Sequence, residues 1–213
     1  MDDVFLLTDT ELATRLQALR EEADRRTQTA IKDAAQIIHG HEYAKRAIVV
    51  AAAGNHSILF VGGAGTGKTM LRGLAYQLGV GESYEMLPCP CGFLRSHIHV
   101  CRCTVKQIEK HLRGTPHAEI NVEVCQVPEQ EMRSRVTPFS YYADQLKGVK
   151  EAAAPTEMDR FAQELLKHAV SELGLMTGRR NEILKVAGSI AKLDHATVIT
   201  SSHMAEAINY RKV

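Results

Sequence analysis

An α/β fold closed by a helical C-terminal bundle is predicted by three observations. A short apolar run, Ile58-Leu-Phe-Val61, turns through a glycine-rich segment into a helical pattern, the order of a buried strand, a loop and a helix. After Pro155, three segments repeat apolar residues at three- and four-residue steps and are separated by Gly174 and by Thr200-Ser-Ser202. The composition, 45% hydrophobic and 24% charged, is that of a folded globular domain rather than a disordered chain.

At 213 residues and 23.5 kDa the chain can bury one ordinary core or two small ones. A net charge of +1 argues against a uniformly basic nucleic-acid clamp. Six tyrosines, five phenylalanines and no tryptophan leave no aromatic platform for stacking single strands. The first residues, Met1 to Thr8, carry no basic segment before their short apolar run, and the longest apolar run is Ala47 to Ala53. Neither a secretory leader nor a membrane span is expected. A reducing cytoplasm is therefore the expected location, where five cysteines serve as thiols or metal ligands rather than as disulfides.

Taken in order, Thr8-Asp-Thr-Glu11 has the spacing of a capping box and opens a helix with Leu12, Leu16, Leu19 and Ala23 on one narrow stripe. Its charged face, which includes Arg15, Arg20, Glu21, Glu22, Asp24, Arg25 and Arg26, suits solvent or a neighbouring subunit. A second helix runs from about Glu42 to Ala53 and stops at Gly54-Asn55, just before the apolar strand.

The turn after that strand reads GxxxxGKT from Gly62 to Thr69. Each position has a mechanical task in holding a polyphosphate. Gly62, Gly63, Gly65 and Gly67, with Ala64 and Thr66 between them, allow the backbone to bend so that its N–H groups face the anion. Lys68 reaches the β- and γ-phosphates, Thr69 offers its hydroxyl to Mg²⁺, and the helix continuing through Met70 to about Leu78 aims its positive end at the ligand. A nucleotide such as ATP, with Mg²⁺, is the ligand that these residue types fit. A glycine-rich turn with an unrelated lysine is disfavoured by the strand and helix on either side.

Together with Ile38-His-Gly-His-Glu-Tyr-Ala-Lys-Arg-Ala47 and Ala51-Ala-Ala-Gly54, this loop resembles the magnesium-chelatase family of AAA+ ATPases. The resemblance implies that the loop at Ile38 to Gly40 lies near an adenine, and that His41 stands where the family usually has glutamine.

Beyond Gly79-Val-Gly81 comes a cysteine cluster, Cys89-Pro-Cys91 and Cys101-Arg-Cys103, with Gly92 placed for a tight turn. Four soft thiolates at this spacing suit tetrahedral zinc, with His97 and His99 as substitute ligands. A CxC pair chelates under tighter geometric demands than CxxC, so free thiols, a redox pair and a catalytic thiol remain open. Cys125 falls in an expected strand and is read as a small core residue. Met86-Leu-Pro-Cys-Pro-Cys-Gly92 with the later Cys101 and Cys103 is similar to the competence-associated, ComM-like branch of the family, whose members act on branched DNA. That likeness implies a nucleotide-sensing asparagine before the first Pro-Cys, where this chain has Leu87.

A hydrolysing loop of this kind needs a second strand whose acid holds Mg²⁺ and whose neighbour activates water. No such segment is evident between Gly81 and Glu85. The nearest alternative, Ile120-Asn-Val-Glu-Val124, places Glu123 within a strand instead of at its end. Between Gly81 and Glu119 the cysteine loop and a helix from Thr104 to about Leu112 leave too little chain for further strand–helix–strand units, each about 30 residues long. Compared with the family, the central block with its Walker B acid is missing, and Gly114 to Ile120 stands where an arginine finger would be, with Arg113 only a weak substitute.

Residues 127 to 155 read as a proline-marked connector with a short helix around Glu129 to Val136. A helix beginning at Pro155-Thr156, another from about Arg179 to Leu193 and a third near Thr200-Ser-Ser202 make a small bundle. Leu173-Gly-Leu175, Ile183 to Ala187, Ile190-Ala191 and His203 to Ala207 resemble the AAA+ lid. By that resemblance Arg179 or Arg180 is the γ-phosphate sensor; solvated charges in a first helical turn are the alternative.

The fold expected is thus α/β, a truncated P-loop NTPase (AAA+) core with a C-terminal three-helix lid bundle. The divisions expected are an N-terminal charged helix (1–36), the P-loop core with its cysteines (37–126), the connector (127–155) and the lid (156–213). The function expected is Mg-ATP binding with weak or absent hydrolysis. The alternatives are a zinc-stapled interaction module with a vestigial P-loop, an ATPase completed by partner subunits, and a deletion product without function. A homo-oligomer or partner AAA+ subunits are implied by the family, as is nucleic acid, by analogy alone, and no membrane is involved.

Overall fold

The computed structural model describes residues 38–211 except 95, 97, 98, 134, 150 and 151, together with 14, 15, 17–19 and 22. Apart from those last few positions, which are helical, the expected N-terminal helix lies outside the described residues.

Helix α1 (Glu42–Gly54) is entered through His41 at φ 57° and left through Asn55 at φ 52°. Its second half is almost entirely alanine and valine, and every residue from Ala47 to Ala53 is buried, so it is an interior helix rather than a surface one. Strand β1 (Ile58–Val61) is buried along its whole length. Helix α2 (Lys68–Gln77) follows the glycine loop, and strands β2 (Ser83–Met86) and β3 (Ile120–Glu123) lie on either side of β1. All pairings are parallel, with Ile58 opposite both Ser83 and Ile120, and Val61 opposite both Met86 and Glu123. Alternation then sorts the side chains. Ile58, Phe60, Ile120 and Val122 enter the main core, while Leu59 and Val61 pack with Ala118, Tyr84 and Met86 on the other face.

Strand β2 has no counterpart in the hydropathy pattern, because Ser-Tyr-Glu-Met is neither an apolar run nor a clean alternation. It forms because β1 presents unpaired backbone groups on that edge: Ile58 N donates to Glu82 O at 3.0 Å and Gly62 N to Met86 O at 3.1 Å. Strand β3 is also shorter than expected. It ends at Glu123, so this carboxylate stands at the carboxyl end of the strand, level with Val61, not inside it.

Helix α3 (Val105–Leu112) starts at a reciprocal cap in which Gln107 N donates to Thr104 Oγ1 and Thr104 N to Gln107 Oε1, and it buries none of its residues. The connector holds a single turn, α4 (Glu129–Met132), and a further helix, α5 (Phe139–Gln145), which anchors Tyr142 in the core. Helix α6 (Arg160–Leu173) begins later than the proline suggests. Glu157 and Met158 are held extended by Ile199, which donates to Glu157 O at 2.8 Å and accepts from Asp159 N at 3.0 Å, and Asp159 then caps the helix through Ala162 N. Helices α7 (Thr177–Leu193) and α8 (Ser201–Asn209) complete the chain. Helix α8 packs on α6 and α7, and α7 packs on α1, so the helical segment and the sheet share one core.

A buried polar brace joins them. His56, just before β1, has Nδ1 2.9 Å from Glu119 Oε2 and Nε2 2.8 Å from Ser189 Oγ in the middle of α7. The order serine, histidine, acid is that of a nucleophile array, but His56 and Ser189 are each only 4% exposed, so no substrate reaches them. A Cβ on Gly54 would overlap both His56 Nε2 and Ser189 Oγ. Gly54→Ala is therefore expected to lower stability by about 3 kcal/mol, combining overpacking with a broken buried hydrogen bond. Urea unfolding reads this directly, and a loss below about 0.5 kcal/mol, within surface-mutation scatter, would contradict the brace.

Candidate functional site

The glycine loop leaves the carboxyl end of β1, and its bends have steric causes. A Cβ on Gly62 would meet Val124 O, the residue whose N–H holds β3 to Val61 O, so only glycine passes there. Gly65 and Gly67 have φ of 76° and 90°, in the left-handed region. Thr66 Oγ1 donates to Gly63 O at 3.0 Å and ties the loop across its base. Lys68, 9% exposed, folds back over the loop and donates to Gly62 O at 2.9 Å and Gly63 O at 2.5 Å. Its ammonium thus lies within the curve of the loop, and burial lowers its pKa while Glu85 acts in the opposite sense. Ala64 and Gly65 are exposed at the tip, and Met70 packs on the core from the first turn of α2.

Thr69 is exposed at the same helix start, and its hydroxyl donates to Glu85 Oε2 at 3.0 Å. No pattern in the sequence singles out Glu85, a lone acid inside a short polar strand. His41 is also drawn in: a Cβ on Gly67 would stand 3.2 Å from its Nε2. Burial and the charge of Lys45 push its pKa down, while the backbone of Thr66 acts the other way.

The four cysteines converge. The Sγ atoms of Cys89, Cys91, Cys101 and Cys103 all lie within 4.8 Å of one another, with separations of 3.5 Å (Cys89–Cys91), 3.7 Å (Cys89–Cys101) and 3.6 Å (Cys91–Cys101). Tetrahedral zinc with sulfurs at about 2.3 Å sets them about 3.8 Å apart, so the cluster fits such an ion closely. All are free thiols. The turn between them is built by Gly92, at φ 78°, whose N–H donates to Cys89 O, and Leu94 N donates to Cys89 Sγ at 3.3 Å. The backbone N–H of Phe93 helps hold the Cys91 thiol down at about 6. At Cys103 the backbone of Cys91 acts downward, but the neighbouring sulfurs, Cys91 first, outweigh it and raise the thiol to about 12. The thiols therefore divide into one that ionises readily and one that holds its proton, as crowding of four sulfurs requires.

His99 is not among these ligands; its ring leans on Phe93, with centroids 4.7 Å apart and planes tilted by 52°, and His97 lies outside the described residues. Cys125, expected in the core, is exposed one residue beyond buried Val124, because the alternation carries it to the outer side once β3 has ended.

The cysteine turn and the glycine loop touch. A Cβ on Gly63 would lie 3.1 Å from Gly92 O, and one on Gly92 would lie 3.9 Å from Ala64 N. The arginines are elsewhere. Arg179 donates to Ala118 O at 3.1 Å and to Glu182 Oε2 at 2.8 Å. Ala118 precedes β3, whose first residue pairs with the first of β1, so Arg179 sits at the amino ends of the strands and the glycine loop at their carboxyl ends. Arg180 is exposed beside Asn181. Neither is brought to the loop of its own chain.

Residues 33–80 match the family described as magnesium chelatase, subunit ChlI, and residues 115–211 match its C-terminal part, magnesium chelatase, subunit ChlI C-terminal. The two matches take in most of the chain and leave the cysteine segment between them. The chain is also similar to competence protein ComM of Haemophilus influenzae, 62% identical over 34 residues. That stretch is 16% of this chain and 7% of ComM. Among the described residues no helix is long and apolar enough to cross a membrane.

Proposed function

The chain belongs to the magnesium chelatase subunit ChlI family, and on that premise we propose that it is an AAA+ nucleotide-binding protein that holds Mg-ATP in the loop from Gly62 to Met70 and hydrolyses it weakly or not at all. The observation that carries this reading is the placement of Lys68 and Thr69 at the carboxyl end of β1, beside an edge strand reached directly from α2. Lys68 turns from the carbonyls of Gly62 and Gly63 to the phosphates, and the loop N–H groups and the start of α2 stabilise their charge. When bound, Mg²⁺ supplies charge neutralisation between the phosphates. Among the described residues no strand lies beyond β2, the acid that ends β3, Glu123, shares the face of Val61 and so lies away from α2 and Thr69, and Leu87, an apolar side chain, cannot orient a water. Missing groups of this kind lower turnover by orders of magnitude.

The cysteine cluster is a structural zinc site in this reading, bracing the glycine loop through Gly92. A zinc-stapled module and a nucleotide site are then parts of one unit. The position of Arg179 and Arg180, away from their own loop, favours a second element of the proposal: in an oligomer, or with partner AAA+ subunits, they serve a neighbouring chain's nucleotide. The segment 156–213 acts as the lid, and the location is cytoplasmic. Action on DNA comes from the ComM likeness alone.

Titration calorimetry of the full chain with Mg-ATP, with phosphate release followed in the same samples, tests the proposal. Micromolar binding without turnover supports it. Absence of binding overturns the nucleotide reading, and turnover near 1 s⁻¹ or above, the ordinary range for enzymes, overturns the hydrolysis part.

A further inference from the structure

We propose that Glu85 supplies the metal-holding carboxylate that the shortened sheet would otherwise lack, pairing with the Thr69 hydroxyl on the Mg²⁺ of a bound nucleotide. The inference rests on the Mg-ATP reading of the loop and adds to it a residue from a different strand position. Strand alternation puts Tyr84 and Met86 against Leu59 and Val61, which sends Ser83 and Glu85 to the opposite face, where α2 packs. There Glu85 Oε2 accepts from Thr69 Oγ1 at 3.0 Å, and Glu85 Oε1 accepts from Arg72 Nη1 at 3.3 Å. Arg72, one turn further along α2, thereby fixes the carboxylate and leaves the second oxygen facing the threonine.

The spacing fits the ion. Mg²⁺ takes oxygen ligands at about 2.1 Å in octahedral geometry, so two adjacent ligands stand about 3.0 Å apart, the separation of Thr69 Oγ1 and Glu85 Oε2. Mg²⁺ also keeps most of its shell for water and phosphate and takes only one or two protein groups, the number present here. Glu85 is 31% exposed on its side chain, open enough to receive a hydrated ion and enclosed enough to be held in place. It also attracts the Lys68 ammonium, which ties the carboxylate to the phosphate-facing side of the loop. The hydrogen bond to Thr69 holds the two oxygens together before the ion arrives; on binding, the hydroxyl proton would turn away from Glu85 and free both oxygens for the same Mg²⁺. An acid in the interior of a strand serves because α2 crosses β2 directly.

The test measures ATP affinity of the full chain by calorimetry with Mg²⁺ and in chelator-free buffer stripped of Mg²⁺, which leaves the cysteine cluster's zinc in place, for wild type, Glu85→Gln and Glu85→Asp. Glutamine keeps the shape and an acceptor for Arg72 but removes the charge that Mg²⁺ needs. In wild type, Mg²⁺ is expected to tighten ATP binding by about tenfold or more; in Glu85→Gln this gain falls below about threefold while the affinity without Mg²⁺ stays within about twofold. Glu85→Asp retains part of the gain. Mn²⁺ electron paramagnetic resonance gives a second reading, with immobilised Mn²⁺ in the wild-type ATP complex and free Mn²⁺ in Glu85→Gln. A wild-type-sized Mg²⁺ gain in Glu85→Gln overturns this proposal and leaves the nucleotide reading standing. Failure of the wild type to bind ATP in either medium overturns both.

Discussion

Lys68→Ala is expected to weaken Mg-ATP binding by about a hundredfold or more, the loss of at least two charge-assisted contacts worth about 1.5–3 kcal/mol each. The loss is a net one. In the wild type the lysine ammonium must leave the carbonyls of Gly62 and Gly63 to reach the phosphates, a cost that alanine does not carry, so the phosphate contacts themselves are worth more than the affinity difference shows. Lys68→Arg is not expected to rescue, because a planar guanidinium does not fit within a curve that a single ammonium fills. Calorimetry decides it. An affinity within about threefold of wild type, less than one lost hydrogen bond, would mean that the loop does not hold phosphate through this residue.

The second large effect concerns the cysteines. The chain purified without chelator is expected to carry a single zinc ion, and Cys89→Ser, at a fully buried position, to lose it. Structural zinc in small peptides contributes about 10–16 kcal/mol, so even partial coupling should open the whole segment from Pro88 to Cys103. Hydrogen exchange across that segment is expected to rise by about a hundredfold or more, corresponding to about 3 kcal/mol of lost protection. Because Gly92 rests on Gly63 and Ala64, ATP affinity should also fall, by about five- to tenfold, a loose brace rather than a lost ligand. Zinc affinity should decline as pH falls, since each thiol that keeps its proton must release it to bind, Cys103 above all. A zinc-free chain with unchanged exchange would show that the cluster is a set of free thiols.

Much of this is legible in the residues themselves. The loop from Gly62 to Thr69 announces itself because its residue types answer to local demands, positive φ at Gly65 and Gly67 and close approach at Gly62. Helices α2, α6, α7 and α8 show in the apolar spacing, although α6 starts at Arg160 because pairing with Ile199 overrides the proline signal at 155. Glu85 was illegible for a different reason. Its strand forms through backbone groups, which every residue carries alike, and its partner Thr69 is adjacent only once α2 has packed across β2.

By itself, then, the sequence determined the phosphate loop, the four-cysteine spacing and the run of amphipathic helices. Each depends on bond geometry, side-chain chemistry or period within a few residues. Tertiary structure alone decided the place of Glu85 beside Thr69, the contact of the cysteine turn with the loop, and the seating of Arg179 on Ala118 at the far end of the strands. Those depend on strand order and helix packing, and both are settled by burying one shared core.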